Sequence, residues 1–247
     1  MRKTSIGLAV FTIAVAAGTA CAQDLAIPDV QYPKIATYAE SPDGFVPAGW
    51  KLESLARGDL NGDALPDIVL VLRDADPANL IDAGLPDKLD TNPRMLVVAL
   101  GRAGGGYYLA VDNHTLITRT DNPQADDYYA SDKGIDIAGG ALHVHLRYFA
   151  YAGSWSASTS KFTFRYRGGD LELIGFDEYV ADRGSGETNE VSLNYLTRRV
   201  KITRGALSGD PPDKVSWQTL PDRPLRTIKE VGDGLEYNDG LSFVGLD

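Results

Sequence analysis

The chain has 247 residues, is 43% hydrophobic and 23% charged, and carries 34 acidic against 24 basic residues, a formal charge of −10. These are the proportions of a globular chain with apolar surface enough for a core, and they exclude a disordered or fibrous class. Such acidity opposes binding to nucleic acid and to anionic membrane surfaces, and it favours cations.

In chain order, Arg2 and Lys3 precede an apolar run over residues 6–17, and Ala20-Cys21-Ala22 offers small residues for cleavage. The run is too short to cross a bilayer comfortably, so residues 1–22 read as a secretory signal peptide and the expected compartment is periplasmic or extracellular. Cys21 as the lipidated first residue of a lipoprotein is the alternative. No later stretch reaches spanning length. Residues 1–22 hold two basic and no acidic residues, so the mature charge is −12. Cys21 is the sole cysteine. A mature chain in an oxidising compartment without disulfides must draw stability from its core or from bound metal.

Residues 23–49 are Pro-rich and lack a period, an extended lead-in. From Trp50 the signals are those of β structure. Residues 68–72 and 95–100 are continuous apolar runs too short for helices, hence buried strands. A long polar loop over 74–93 separates them. The Gly-rich stretch 101–106 reads as a turn into a returning strand at 107–111. Hairpins are expected at 134–138 with 142–151 around Gly139-Gly140, at 161–166 with 171–176, and at 190–196 with 199–203. Residues 205–247 are a Pro-rich tail of loose strand and loop. No segment has a useful helical stripe. The expected fold is all-β, built of antiparallel hairpins, with sandwich, barrel and partial propeller all open.

Between Gly58 and the apolar run lies Asp59-Leu60-Asn61-Gly62-Asp63-Ala64-Leu65-Pro66-Asp67. Acidic or amide side chains occupy positions one, three, five and nine of this loop. Oxygen ligands at alternate positions turn inward together, and a hard cation offsets their repulsion. The expected ligands are Asp59, Asn61, Asp63, the Leu65 carbonyl and Asp67. Oxygen-only donors and their number favour Ca²⁺ over Zn²⁺ and Mg²⁺. An EF-hand is excluded, because position six is Ala64 rather than Gly, position twelve is Leu70, and a strand follows. The bland reading is a metal-free, Asx-rich turn.

Gly58-Asp59-Leu60-Asn61-Gly62-Asp63, followed by Pro66-Asp67-Ile68-Val69-Leu70, resembles the FG-GAP repeat, also called VCBS or integrin-α N-terminal-like. The later Val97-Val98-Ala99-Leu100-Gly101-Arg102-Ala103-Gly104-Gly105-Gly106-Tyr107 is similar to that family's second motif. The resemblance covers roughly 56–111 and implies one β-propeller-like blade with a Ca²⁺ loop. It divides the chain into a signal (1–22), a lead-in (23–49), a blade (50–118), a hairpin-rich region (119–204) and a tail (205–247). A second acidic loop of this spacing is absent from the sequence, so one blade-like unit joined to other hairpins is expected rather than a full propeller.

Other candidates weigh less. Arg57-Gly58-Asp59 spells an integrin-recognition tripeptide, but Asp59 is committed to the loop. His143 and His145 share a strand face and would need a third ligand to hold Zn²⁺; pairing with acids is the plainer reading, and His114 lies elsewhere. No Gly-x-Ser-x-Gly elbow exists. Asp126-Asp127, Asp177-Glu178 and Glu187, with Tyr128, Tyr129, Trp155 and Tyr179 near in sequence, offer acids and platforms for a carbohydrate-active hydrolase, although an acidic chain supplies such pairs by chance. The expected function is therefore a non-catalytic, Ca²⁺-stabilised protein binding a protein or glycan partner. The hydrolase is the alternative.

Overall fold

The computed structural model describes residues 25–129 and 134–239. Residues 1–22, read from the sequence as a signal peptide, lie outside the described residues, as does the end of the tail. The architecture is all-β and antiparallel, as expected. Two short 3₁₀ turns, Pro42–Phe45 and Pro77–Asn79, and one four-residue helix, α1 (Ile228–Val231), are the helical pieces among the described residues. No described helix is long and apolar enough to cross a membrane.

The first main sheet is built from β1 (Tyr38–Ala39), β2 (Trp50–Gly58), β3 (Asp67–Asp74), β6 (Arg94–Gly101) and β7 (Tyr107–Asn113), in the order β1-β7-β6-β3-β2. The polar loop expected at 74–93 carries only the two-residue pair β4 (Leu80–Ile81) and β5 (Leu89–Asp90). The second main sheet is a meander in strict chain order: β8 (Ile135–Ala138), β9 (Ala141–Phe149), β10 (Ser156–Arg167), β11 (Asp170–Asp182), β12 (Glu187–Asn194), β13 (Arg199–Ala206) and β14 (Lys214–Thr219). The expected hairpin partners pair as read, but β10 and β11 run on to 12 and 13 residues. The β10 extension is polar, and in that of β11 the apolar stretch Tyr179-Val180-Ala181 is too short to mark a strand.

Burial explains the apolar runs. Ile68, Leu70 and Leu72 of β3, with Met95, Val97 and Ala99 of β6, face a small core closed by Ile35, Ala39 and Phe45 of the lead-in. Val69, Val71, Leu96 and Val98 face the opposite way, into a larger core shared with Leu142, Val144, Phe162, Phe164, Val191 and Ile202 of the second sheet. Strands covered on both faces have no reason to alternate, so they read as continuous apolar runs. The tail contributes Leu220, Ile228 and Val231 to that shared core, and its β14 completes the second sheet. These residues are too scattered among prolines to register as elements in the sequence.

One charged group is buried where the region around 119–129 meets the first sheet. Arg94, 3% exposed, forks onto Glu53 of β2 (Nε to Oε2 2.6 Å, Nη2 to Oε1 2.8 Å) and onto Asp127 (Nη1 to Oδ1 2.8 Å, Nη2 to Oδ2 2.6 Å). Arg73 touches the same two carboxylates and also reaches Asp90 at 3.0 Å. The Tyr129 ring lies 5.1 Å from the Arg94 guanidinium carbon. Burial pushes the Asp127 carboxyl up, but the hydrogen bonds and charge of Arg94 outweigh it and hold the group below the usual carboxylate range.

Arg94→Met should cost about 3 kcal/mol by urea unfolding at neutral pH, because two part-buried carboxylates lose their closest counter-charge and keep only the longer contacts of Arg73. A depressed carboxyl stabilises the fold above its ordinary value, and that stability is lost as pH falls through the lowered one. The wild type should therefore lose more stability on acidification below about pH 4 than Arg94→Met does.

Candidate functional site

Gly58 pairs with Asp67, so β2 and β3 form a hairpin and the acidic stretch 59–66 is its loop. The loop is stitched by its own side chains. Asp59 accepts N–H bonds from Gly62 (2.7 Å) and Ala64 (2.9 Å). The Asn61 oxygen accepts from the Asp63 amide (3.0 Å), and the Asp63 Oδ1 accepts from the Leu65 amide (2.8 Å). Asn61 Nδ2 donates to Asp63 Oδ2 at 3.0 Å. Leu60 turns into the shared core and anchors the loop.

Asp67 differs from the others. It is fully buried, accepting from the Leu60 amide through Oδ2 (2.7 Å) and from the Gly101 amide through Oδ1 (2.9 Å). One carboxylate thus ties the start of the acidic loop to the end of β6. The contact is close: a Cβ on Gly101 would lie 2.5 Å from the Pro66 carbonyl oxygen. This is the physical reason for glycine after Leu100. The two motif halves noted in the sequence meet here in space. Burial pushes the Asp67 carboxyl up, the Gly101 and Leu60 amides oppose this, and the Asp63 charge adds to the rise. Ala64, position six of the loop, has φ 65°, the left-handed conformation that favours glycine.

The side chains expected to hold Ca²⁺ are therefore gathered in one short loop, but their oxygens face amides of the chain. Among the described residues no group of three or more His, Cys, Asp and Glu side chains is arranged to hold a metal ion. The donor set still fits a hard cation in kind. Every member is an oxygen, and an oxygen that accepts one N–H keeps a second lone pair.

His143 and His145 of β9 share one acid, as the plainer reading had it. Asp136 of β8 meets His143 Nδ1 at 2.8 Å and His145 Nε2 at 3.2 Å. His114 is apart, stacked on Tyr32 at 4.2 Å. Stretch 101–106 is the β6–β7 turn. The acid pairs do not act as pairs. Asp126 meets Arg147 at 2.6 Å, whereas Asp127 meets Arg94. Asp177 and Glu178 point to opposite faces of β11. Asp177 meets Lys161 at 2.7 Å and accepts from Ser192 at 2.5 Å. The sequence reading missed Glu53, Arg94 and Asp136, since nothing in their local sequence marks them. Only cross-strand register brings them to their partners.

No protein-family model, curated protein or solved structure matches the chain.

Two loop substitutions should act with opposite sign in urea unfolding. Gly101→Ala should destabilise by about 1–3 kcal/mol, since the new methyl group meets a backbone oxygen. Ala64→Gly should stabilise by up to about 1 kcal/mol, the left-handed strain exceeding the added unfolded-state entropy.

Proposed function

We propose that the chain is a non-catalytic, Ca²⁺-stabilised β protein of the periplasm or extracellular space that binds a protein or glycan partner. The observation that carries the metal reading is the all-oxygen donor set of a loop anchored at Asp67. Asp59, Asn61, Asp63, the Leu65 carbonyl and Asp67 would hold the ion, with Asp67 also bracing the loop from within. The ion would supply charge neutralisation and rigidity, not chemistry on a substrate. The Asp63 charge adds to the rise that burial causes in the Asp67 carboxyl, and a divalent cation in the loop would offset that repulsion. The FG-GAP-like motif halves support the same reading, because Asp67 and Gly101 join them. The binding role is favoured because three of the five acids considered for hydrolysis, Asp126, Asp127 and Asp177, are engaged by Arg147, Arg94 and Lys161.

Thermal melts in excess EDTA, in millimolar CaCl₂ and in millimolar MgCl₂ test the metal. Ion at about ten times its dissociation constant adds about 1.4 kcal/mol, a rise of roughly 3–6 °C for a domain of this size. The rise is expected with Ca²⁺ and not with Mg²⁺, and Asp63→Ala should abolish it. Equal melting in all three conditions would reduce the loop to a hydrogen-bonded turn.

A further inference from the structure

At the end of the seven-stranded sheet where β12 turns into β13, the tail closes a pocket of ≈ 370 Å³. Leu173, Leu220, Pro221 and Pro224 give it apolar wall, and Tyr195 and Tyr237, whose hydroxyls lie 2.9 Å apart, give it rings. Three arginines line it, Arg198, Arg223 and Arg226, against two acids, Asp222 and Asp239. The chain as a whole has 34 acids and 24 bases, so the sign is reversed here.

The three guanidinium groups are not equally committed. Arg223 is consumed: it meets the Asp239 carboxylate and donates through Nη1 to the Asp239 carbonyl at 2.9 Å. Asp239 is buried and its Oδ2 is shut off from solvent, so its charge is spent on Arg223. Arg198 has only Asp222, at 3.6 Å, too long for a hydrogen bond, and the Asp222 side chain is 88% exposed. Arg226 makes no ion pair among the described residues. Glu230, near enough to feel its charge, spends its carboxylate on Thr227 at the start of α1. The Tyr237 ring centre lies 5.7 Å from the Arg226 guanidinium carbon. Backbone bonds fix both positions. The Arg198 carbonyl accepts from the Leu220 amide (2.9 Å), and the Arg226 carbonyl accepts from the Leu173 amide (2.8 Å). Arg198 also carries a full side chain at φ 54°, where glycine would be unstrained.

We propose that this pocket binds a small molecule headed by an oxyanion, a carboxylate or a phosphate, with its carbon skeleton against the leucine and proline wall. Arg226 and Arg198 would hold the head. A planar guanidinium presents paired N–H donors that match two oxygens of such a group. A cationic ligand would meet three arginines, and the one buried acid is already engaged by Arg223. A neutral ligand would cover Arg226 without compensating its charge. Because both arginines stand on fixed backbone, less ordering is left for binding to impose. The pocket shares no residue with the acidic loop, so this inference is independent of the calcium reading.

Titration calorimetry on the whole chain, in EDTA and a chloride buffer of low ionic strength, tests this. Benzoate and phenyl phosphate are the oxyanion probes; benzamide and benzamidine are the neutral and cationic comparators. At least one oxyanion should bind about tenfold or more tightly than either comparator, and the better of the two names the head group. Arg226→Gln should weaken that binding roughly tenfold. Asp222→Asn, which releases Arg198 from its exposed acid, should strengthen it. Arg198→Gly should weaken it without lowering the melting temperature, since the change also removes left-handed strain; binding lost there is not folding lost. No oxyanion binding at millimolar concentration, benzamide binding as tightly as benzoate and phenyl phosphate, or an affinity indifferent to all three substitutions overturns the proposal.

Discussion

A single buried carboxylate holds together the part of the molecule on which the functional reading turns. Asp67 gives one oxygen to the Leu60 amide and the other to the Gly101 amide. Burying a carboxylate is expensive unless hydrogen bonds replace its water, and two backbone donors do so here. The consequences run outward. Leu60 is fixed in the core, so the acidic loop has a rigid root. Gly101 must lack a side chain, because the Pro66 carbonyl lies where a Cβ would sit. Asp59, Asn61 and Asp63 are then confined to a short loop that brings the two carboxylates close, and its internal amides donate to all three.

Two further ties set the rest. Arg94 joins β2, β6 and the Asp127 segment through paired forks, a geometry that lysine cannot reproduce. The shared core joins the two sheets and is closed by Leu220, Ile228 and Val231 from the tail. Because the core consumes one face of the seven-stranded sheet, the other face is left polar, ordered and open.

Legibility from sequence followed the range of the forces involved. Local signals were sufficient for the all-β class, for β3 and β6 with their apolar runs, and for the Gly139-Gly140 hairpin. The acidic loop was legible because its residues are contiguous and their spacing is itself the signal. Side-chain partners were not legible. The spacing marked Asp67 as the ninth position of the loop, but its two amide partners depend on β6 lying beside β3. The Arg94 forks and the bridging role of Asp136 likewise arise only once strands are in register. In the tail, expected only as loose strand and loop, β14 is exposed along its whole length and flanked by prolines, so its bounds could not be read from the apolar alternation that marks a half-buried strand.

Asp67 couples the acidic loop to β6, and the proposed cation would strengthen that coupling. Amide hydrogen exchange at Leu60 and Gly101, followed by NMR through a CaCl₂ titration, tests it most directly. The two amides should be protected together, gain protection together as Ca²⁺ is added, and lose it together in Asp67→Ala. Independent exchange at the two sites, or protection indifferent to both Ca²⁺ and the loss of Asp67, would contradict it.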